Sequence, residues 1–159
     1  MKRKQRTISK PCSVAGVGLQ TGAHVSVTLR PAPVDSGVVF VRGDIPGSSE
    51  IPAVGANIVS RPRCTALSVG GPAEIQTVEH FLAALYMMKV DNVRVEVNGI
   101  EMPGLDGSSK EYVDAVAGAG IVEQAGEKEI VTLQSAVGVS DKSGSHLSVL
   151  PHDGGLKVS

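Results

Sequence analysis

Glu79 and His80 stand side by side in TVEHFLAAL, residues Thr77 to Leu85, where an apolar helix should begin. An imidazole that ligates a metal, next to a carboxylate that takes a proton from water, is a workable half-site for hydrolysis. At the first turn of a helix both side chains can face a cavity ahead of the N-terminus. There the macrodipole favours a carboxylate over its neutral acid by ~0.3–1 kcal/mol. The pair alone is a weak signal. Acidic residues gather at helix starts for the same electrostatic reason, so by pattern alone two solvated side chains are the commoner outcome. No HExxH spacing is present, and His24, His146 and His152 are scattered over strand or loop segments. His146 and His152 flank a strand end and read as an exposed pair.

Two other stretches invite chemistry. GVGLQTG, Gly16 to Gly22, is glycine-rich but lacks the Gly-Lys-Ser/Thr ending of a P-loop and misses the G-x-G-x-x-G spacing. A strand connection needing positive φ is the simpler reading. In EMPGLDGSS, Asp106 reads as a turn-former ahead of a helix rather than as a catalytic acid.

The elements that must position these residues follow from periodicity. HVSVTLRPAP alternates Val25, Val27 and Leu29 with polar neighbours, and GVVFVRGD is a short apolar run at Val38–Val41. CTALSVGGPAEIQ predicts two strands joined at Gly70-Gly71-Pro72. Four strands without a helix suggest an antiparallel sheet with one buried face. Val78, Phe81, Leu82, Leu85 and Met88 then change the period to that of a helix over Val78–Met88, with Thr77 as N-cap. NVRVEVNG returns to alternation. Ser108 and Glu111 have capping-box spacing for a second helix, whose apolar side is Tyr112, Val113, Val116 and Ala117, ended by Gly118 and Gly120. Strand character resumes at Ile130–Leu133, Ala136–Val139 and His146–Leu150, and GGLKVS reads as the start of another strand. The expected class is α+β, with a first domain over residues 1–126 and the opening strands of a second, incomplete domain over 127–159.

Composition narrows the function classes. Hydrophobic residues make up 42% of the 159, enough for a core, and the absence of Trp leaves Val, Ala, Leu and Ile to fill it. Net charge is −1, and the basic cluster Lys2-Arg3-Lys4 with Arg6 is too short for a nucleic-acid face, so no nucleic-acid partner is expected. Cys12 and Cys64 have no CxxC spacing and read as reduced thiols. No apolar run is long enough for a transmembrane segment, and the N-terminus lacks a signal-peptide core, so the expected location is cytoplasmic.

Taken in order, KQRTI, GVGLQTG, VTLRPAP, GVVFVR, CTAL, TVEHFLAAL, DNVRVEVNGIEMPGLDGSS and AGI are more specific together than any one alone. The series closely resembles the UDP-3-O-acyl-N-acetylglucosamine deacetylases (the LpxC family), zinc enzymes of lipid A biosynthesis in Gram-negative bacteria. The likeness runs from Lys4 to Val122 and more loosely to the end.

The resemblance implies a fold of two similar domains, each a β-sheet with two helices, the helices sandwiched between the sheets. It implies Zn2+ as cofactor, His80 as a zinc ligand and Glu79 as general base. The implied reaction is hydrolytic removal of acetate from UDP-3-O-acyl-N-acetylglucosamine. Substrate contacts are implied at Leu19, Gln20, Thr21, Cys64 and Thr65. Gln20 stands where the family's glycine-rich loop usually has histidine, which alters any polar contact made there. In the family the remaining zinc ligands and the general acid come from a second domain packed against the first, and none of them is in this chain. The expectation is therefore a fragment inactive alone. The alternative is a stand-alone, non-catalytic domain that binds a partner or a nucleotide-sugar.

Overall fold

The computed structural model describes residues 3–129, 132–152, 154 and 157–158. Strands come first: β1 (Arg3–Ile8), β2 (Cys12–Val17), β3 (His24–Pro31), β4 (Val38–Arg42) and the short β5 (Ile51–Pro52). A 3-10 turn at Gly55–Asn57 leads into β6 (Ile58–Arg61), β7 (Cys64–Gly70) and β8 (Ala73–Gln76). Then come α1 (Glu79–Met88), β9 (Val93–Val97), α2 (Lys110–Ala119) and β10 (Ile121–Lys128). A separate unit begins at Glu129 and contains β11 (Val137–Ser140) and β12 (His146–Val149).

The unit Arg3–Lys128 is α+β, as expected, but its strands do not form a single antiparallel sheet. A five-stranded sheet has the order β2-β3-β9-β4-β5, with β4 parallel to β9 and the other pairs antiparallel. β6, β7 and β8 form their own antiparallel sheet, and β1 pairs antiparallel with β10. The single-sheet expectation fails because β9, coming after α1, inserts between β3 and β4. A parallel neighbour needs a long crossover. The eight strands ahead of α1 cannot by themselves disclose it.

Alternation explains which face is buried. Val25, Val27 and Leu29 of β3 and Val93, Val95 and Val97 of β9 all turn inward, with Phe40 of β4 beside them. The helices close that face. Phe81 of α1 lies edge-on to Phe40 at 5.9 Å and to Tyr112 of α2 at 5.4 Å, a chain of three rings through the core. α1 buries Val78 ahead of its first residue, then Phe81, Ala84 and Leu85, while Leu82 and Met88 are only half-buried. α2 buries Tyr112, Val116 and Ala119. Ala117 is exposed, a correction to the expected stripe, and Gly118 lies inside the helix with Gly120 at its end.

In the second unit β11 pairs with β12 as an antiparallel ribbon, and His146 and His152 are exposed. Of the strand expected at Ile130–Leu133, Ile130 and Val131 lie outside the described residues, and Thr132 and Leu133 are in no strand. The strand expected in GGLKVS also falls partly outside them. No helix among the described residues is long and apolar enough to cross a membrane.

Candidate functional site

Thr77 sets the entry to α1. Its φ of 58° is left-handed, which is costly for a β-branched residue. The expected N-cap is not formed. Val78 occupies the capping position in helical conformation, and no side chain caps the helix. An N-cap needs an extended backbone, which Thr77 does not have. Its Oγ1 instead donates to Glu101 Oε1 at 3.1 Å.

Glu79 and His80 follow as the first two residues of α1, both half-buried. The Thr65 N–H donates to Glu79 Oε2 at 3.0 Å, and the Val78 N–H donates back to the Thr65 carbonyl at 3.3 Å. This reciprocal pair docks β7 on the helix start and aims the carboxylate. On the other side, Ser109 Oγ donates to the His80 carbonyl at 2.8 Å. Ser109 is the residue before α2, so its hydroxyl holds α1 rather than capping its own helix. The His80 ring has no hydrogen-bond partner among the described residues, which leaves its nitrogens available.

The capping box expected from Ser108 and Glu111 is absent because α2 starts one residue too late for it. Ser108 Oγ instead donates to Asp106 Oδ1 at 2.7 Å and accepts the Lys110 N–H at 3.1 Å. Asp106 also accepts the Ser108 N–H at 2.8 Å, so it is a turn-former, as read from the sequence.

The glycine-rich stretch splits in two. Gly16 belongs to β2, and the turn itself is closed by Gly22 N–H to the Gly18 carbonyl at 3.0 Å, with Gly22 at φ 66°. Leu19, Gln20 and Thr21 are exposed on it. Below them lies Glu101, only 2% exposed. It accepts the Gln20 N–H at 2.9 Å on Oε1, and the Thr21 N–H and Oγ1 at 2.9 and 2.8 Å on Oε2. Burial alone would raise its pKa. The donors from Gln20, Thr21 and Thr77 more than offset that and hold it below the ordinary glutamate value.

The expected substrate contacts are thus only partly gathered. Thr65 touches Glu79 directly, and Gln20 and Thr21 reach the helix start through Glu101. Cys64, half-buried and free, adjoins Thr65 at the start of β7, whereas the Leu19 side chain projects outward. Glu101 and Ser109 went unread in the sequence. The one available hint was a lone acid between Ile100 and Met102, just after the Asn98-Gly99 turn.

A catalytic zinc usually takes three protein ligands. Among the described residues no group of three or more His, Cys, Asp or Glu converges to hold a metal ion; the His80 imidazole is a nitrogen donor of the kind zinc takes.

The sequence profile of the UDP-3-O-acyl N-acetylglycosamine deacetylase family, LpxC, matches residues 5–159, and the chain belongs to that family. A UDP-3-O-acyl-N-acetylglucosamine deacetylase of Myxococcus xanthus is 44% identical over 137 residues, which is 86% of this chain and 43% of that protein. One from Xanthomonas oryzae pv. oryzae is 46% identical over 138 residues, 87% of this chain and 45% of the relative. A bifunctional enzyme LpxC/FabZ of Chlorobaculum tepidum is 40% identical over 151 residues, 94% of this chain and 32% of the relative. The chain spans less than half the length of each of these three proteins.

Proposed function

We propose that this chain supplies the Glu79–His80 half of a zinc-dependent UDP-3-O-acyl-N-acetylglucosamine deacetylase acting in lipid A biosynthesis. The observation that carries the proposal is the Glu79 carboxylate, aimed by the Thr65 N–H at the first turn of α1, next to an imidazole with no hydrogen bond among the described residues. His80 is one zinc ligand. The other ligands and the general acid belong to a second domain that packs against this one in the intact protein. When bound, the metal supplies Lewis acidity and lowers the pKa of water to about 7.

This chain's own residues handle the proton and the substrate. Glu79 takes one proton from the attacking water as its oxygen bonds to the amide carbon. The carbon–nitrogen bond then breaks, acetate leaves, and the sugar nitrogen departs as an amine once the general acid has protonated it. Leu19, Gln20, Thr21, Cys64 and Thr65 lie along the substrate, with Gln20 offering both a donor and an acceptor. The reaction needs no nucleotide cofactor, and its place is the cytoplasm.

The test is acetate release from UDP-3-O-acyl-N-acetylglucosamine by the intact protein, together with its zinc content. Glu79→Gln should lower kcat about 10²–10⁴-fold with zinc retained. His80→Ala should lose zinc. Full activity in Glu79→Gln would overturn the assignment of the base. Binding of the nucleotide-sugar without acetate release by the wild type would favour a non-catalytic module instead.

A further inference from the structure

We propose that Glu101 is a positioning residue for Glu79 and His80, acting by tying the glycine turn at Gly18–Gly22 to Thr77. The proposal rests on the deacetylase reading for its kinetic part. Glu101 touches neither Glu79 nor His80, yet it is joined to their helix twice. Its carboxylate takes the Thr77 hydroxyl at 3.1 Å, two residues ahead of Glu79. Its backbone neighbours bracket Gln76: the Gln76 N–H donates to Ile100 at 2.7 Å, and the Met102 N–H donates to Gln76 at 3.0 Å. Thr77 holds a left-handed backbone because contacts impose it: Gln76 before it pairs with Ile100 and Met102, Val78 after it donates to Thr65, and its own hydroxyl donates to Glu101.

The other three of the carboxylate's four donors lie in the turn. A Cβ at Gly18 would stand 2.5 Å from Glu101 Oε2 and 2.4 Å from Thr21 Oγ1, so glycine is what lets the carboxylate come this close. No cation among the described residues pairs with Glu101. A buried anion held only by neutral donors is an expensive way to gain stability, since well-packed apolar groups serve stability as well or better. What it provides is direction. Two consecutive backbone N–H groups and two hydroxyls fix where each oxygen sits. Moving the carboxylate therefore displaces both the turn carrying Gln20 and the residue that launches α1.

The experiment uses the intact protein with Glu101→Gln, Thr77→Val, Thr77→Ser and the Glu101→Gln/Thr77→Val double variant. It reads kcat and KM for acetate release, amide exchange at Gln20 and Thr21, and the NMR signals of the His80 ring. Glu101→Gln should lower kcat about 10²-fold with KM little changed, the size expected of a misplaced catalytic group. Thr77→Val should cost about tenfold, the worth of one such hydrogen bond. Thr77→Ser, which keeps the hydroxyl, should restore kcat. The double variant should be no worse than Glu101→Gln, because the two act in series.

Shifted His80 signals should accompany both losses, and Thr77→Val keeps the test alive if Glu101→Gln folds poorly. Faster exchange at Gln20 and Thr21 with kcat and His80 unchanged overturns the proposal, leaving Glu101 a purely structural residue. Losses that multiply in the double variant overturn it too. If the wild type releases no acetate, the deacetylase reading falls and the His80 signals decide alone: shifted supports positioning, unshifted refutes it.

Discussion

The two ends of α1 are each anchored by a buried carboxylate, and the two keep different company. Beyond the C-terminal end, Asp91 accepts Arg3 Nη1 and Nη2 at 2.6 and 2.8 Å and the Arg6 N–H at 2.9 Å, with Lys128 Nζ at 3.4 Å. At the N-terminal end Glu101 meets, among the described residues, only amides and hydroxyls. Both have pKa values below the ordinary range although burial pushes each upward. The cationic cluster gathers the first residue of β1 and the last of β10, stretches remote in the chain, by attraction that acts over a range of geometries. The neutral cluster works only in one geometry. One end of the helix is held, and the other is aimed.

Substitutions should separate these roles. The largest effect is expected at Gly18→Ala, where the new Cβ collides with the Glu101 and Thr21 oxygens. Overpacking and broken hydrogen bonds together should cost about 3 kcal/mol in urea unfolding. Gly104→Ala is the control. Its Cβ would meet Leu19 Cβ at 3.4 Å, an ordinary contact, and should stay within about 0.5 kcal/mol. Equal losses at the two glycines would mean that the turn, not the carboxylate beneath it, is the sensitive part.

Asp91→Asn comes next, at about 1–2 kcal/mol. The figure is discounted because the Arg3 and Lys128 side chains remain 33% and 46% exposed and regain water when the charge is lost. Acetate release by the intact Asp91→Asn protein should stay near that of the wild type, unlike Glu101→Gln. A comparable loss of kcat would erase the distinction between holding and aiming.

What the sequence made legible is what periodicity records. β3, β9 and α1 were read because their inward residues recur every second or every third and fourth position, and the β7–β8 hairpin was read from its Gly70-Gly71-Pro72 turn. β1 and β10 were not. β10 has no regular alternation in burial, and its partner lies at the opposite end of the unit. Glu79 and His80 stood out by adjacency, but their docking by Thr65 and Ser109 depends on β7 and α2 arriving from elsewhere. Thr77 and Ser108 look like caps in one dimension. In three, Thr77 answers to Glu101, and Ser108 falls one residue short of the capping position. Glu101 was the least legible of all, since a single acid in a strand-like stretch carries no mark of the four donors that converge on it.

The smallest effect is the most discriminating. Asp91 and Glu101 both have depressed pKa values when folded, so the unfolded chain binds protons more readily at both positions. Their contributions are fully present above the unfolded values, about 3.9 for Asp and 4.3 for Glu, and fade as pH falls through the folded ones. Subtracting the unfolding free energy of Asp91→Asn or Glu101→Gln from that of the wild type, at each pH, isolates each contribution. Raising salt from about 0.05 to 1 M shortens the screening length to about 3 Å. It should shrink the Asp91 difference by about 0.5 kcal/mol, because part of that term comes from half-exposed cations. The Glu101 difference should hold, since fixed amide and hydroxyl dipoles in van der Waals contact leave no room for an intervening ion. If salt erodes both differences alike, Glu101 is feeling distant cations after all, and its carboxylate is another electrostatic tether rather than a geometric one.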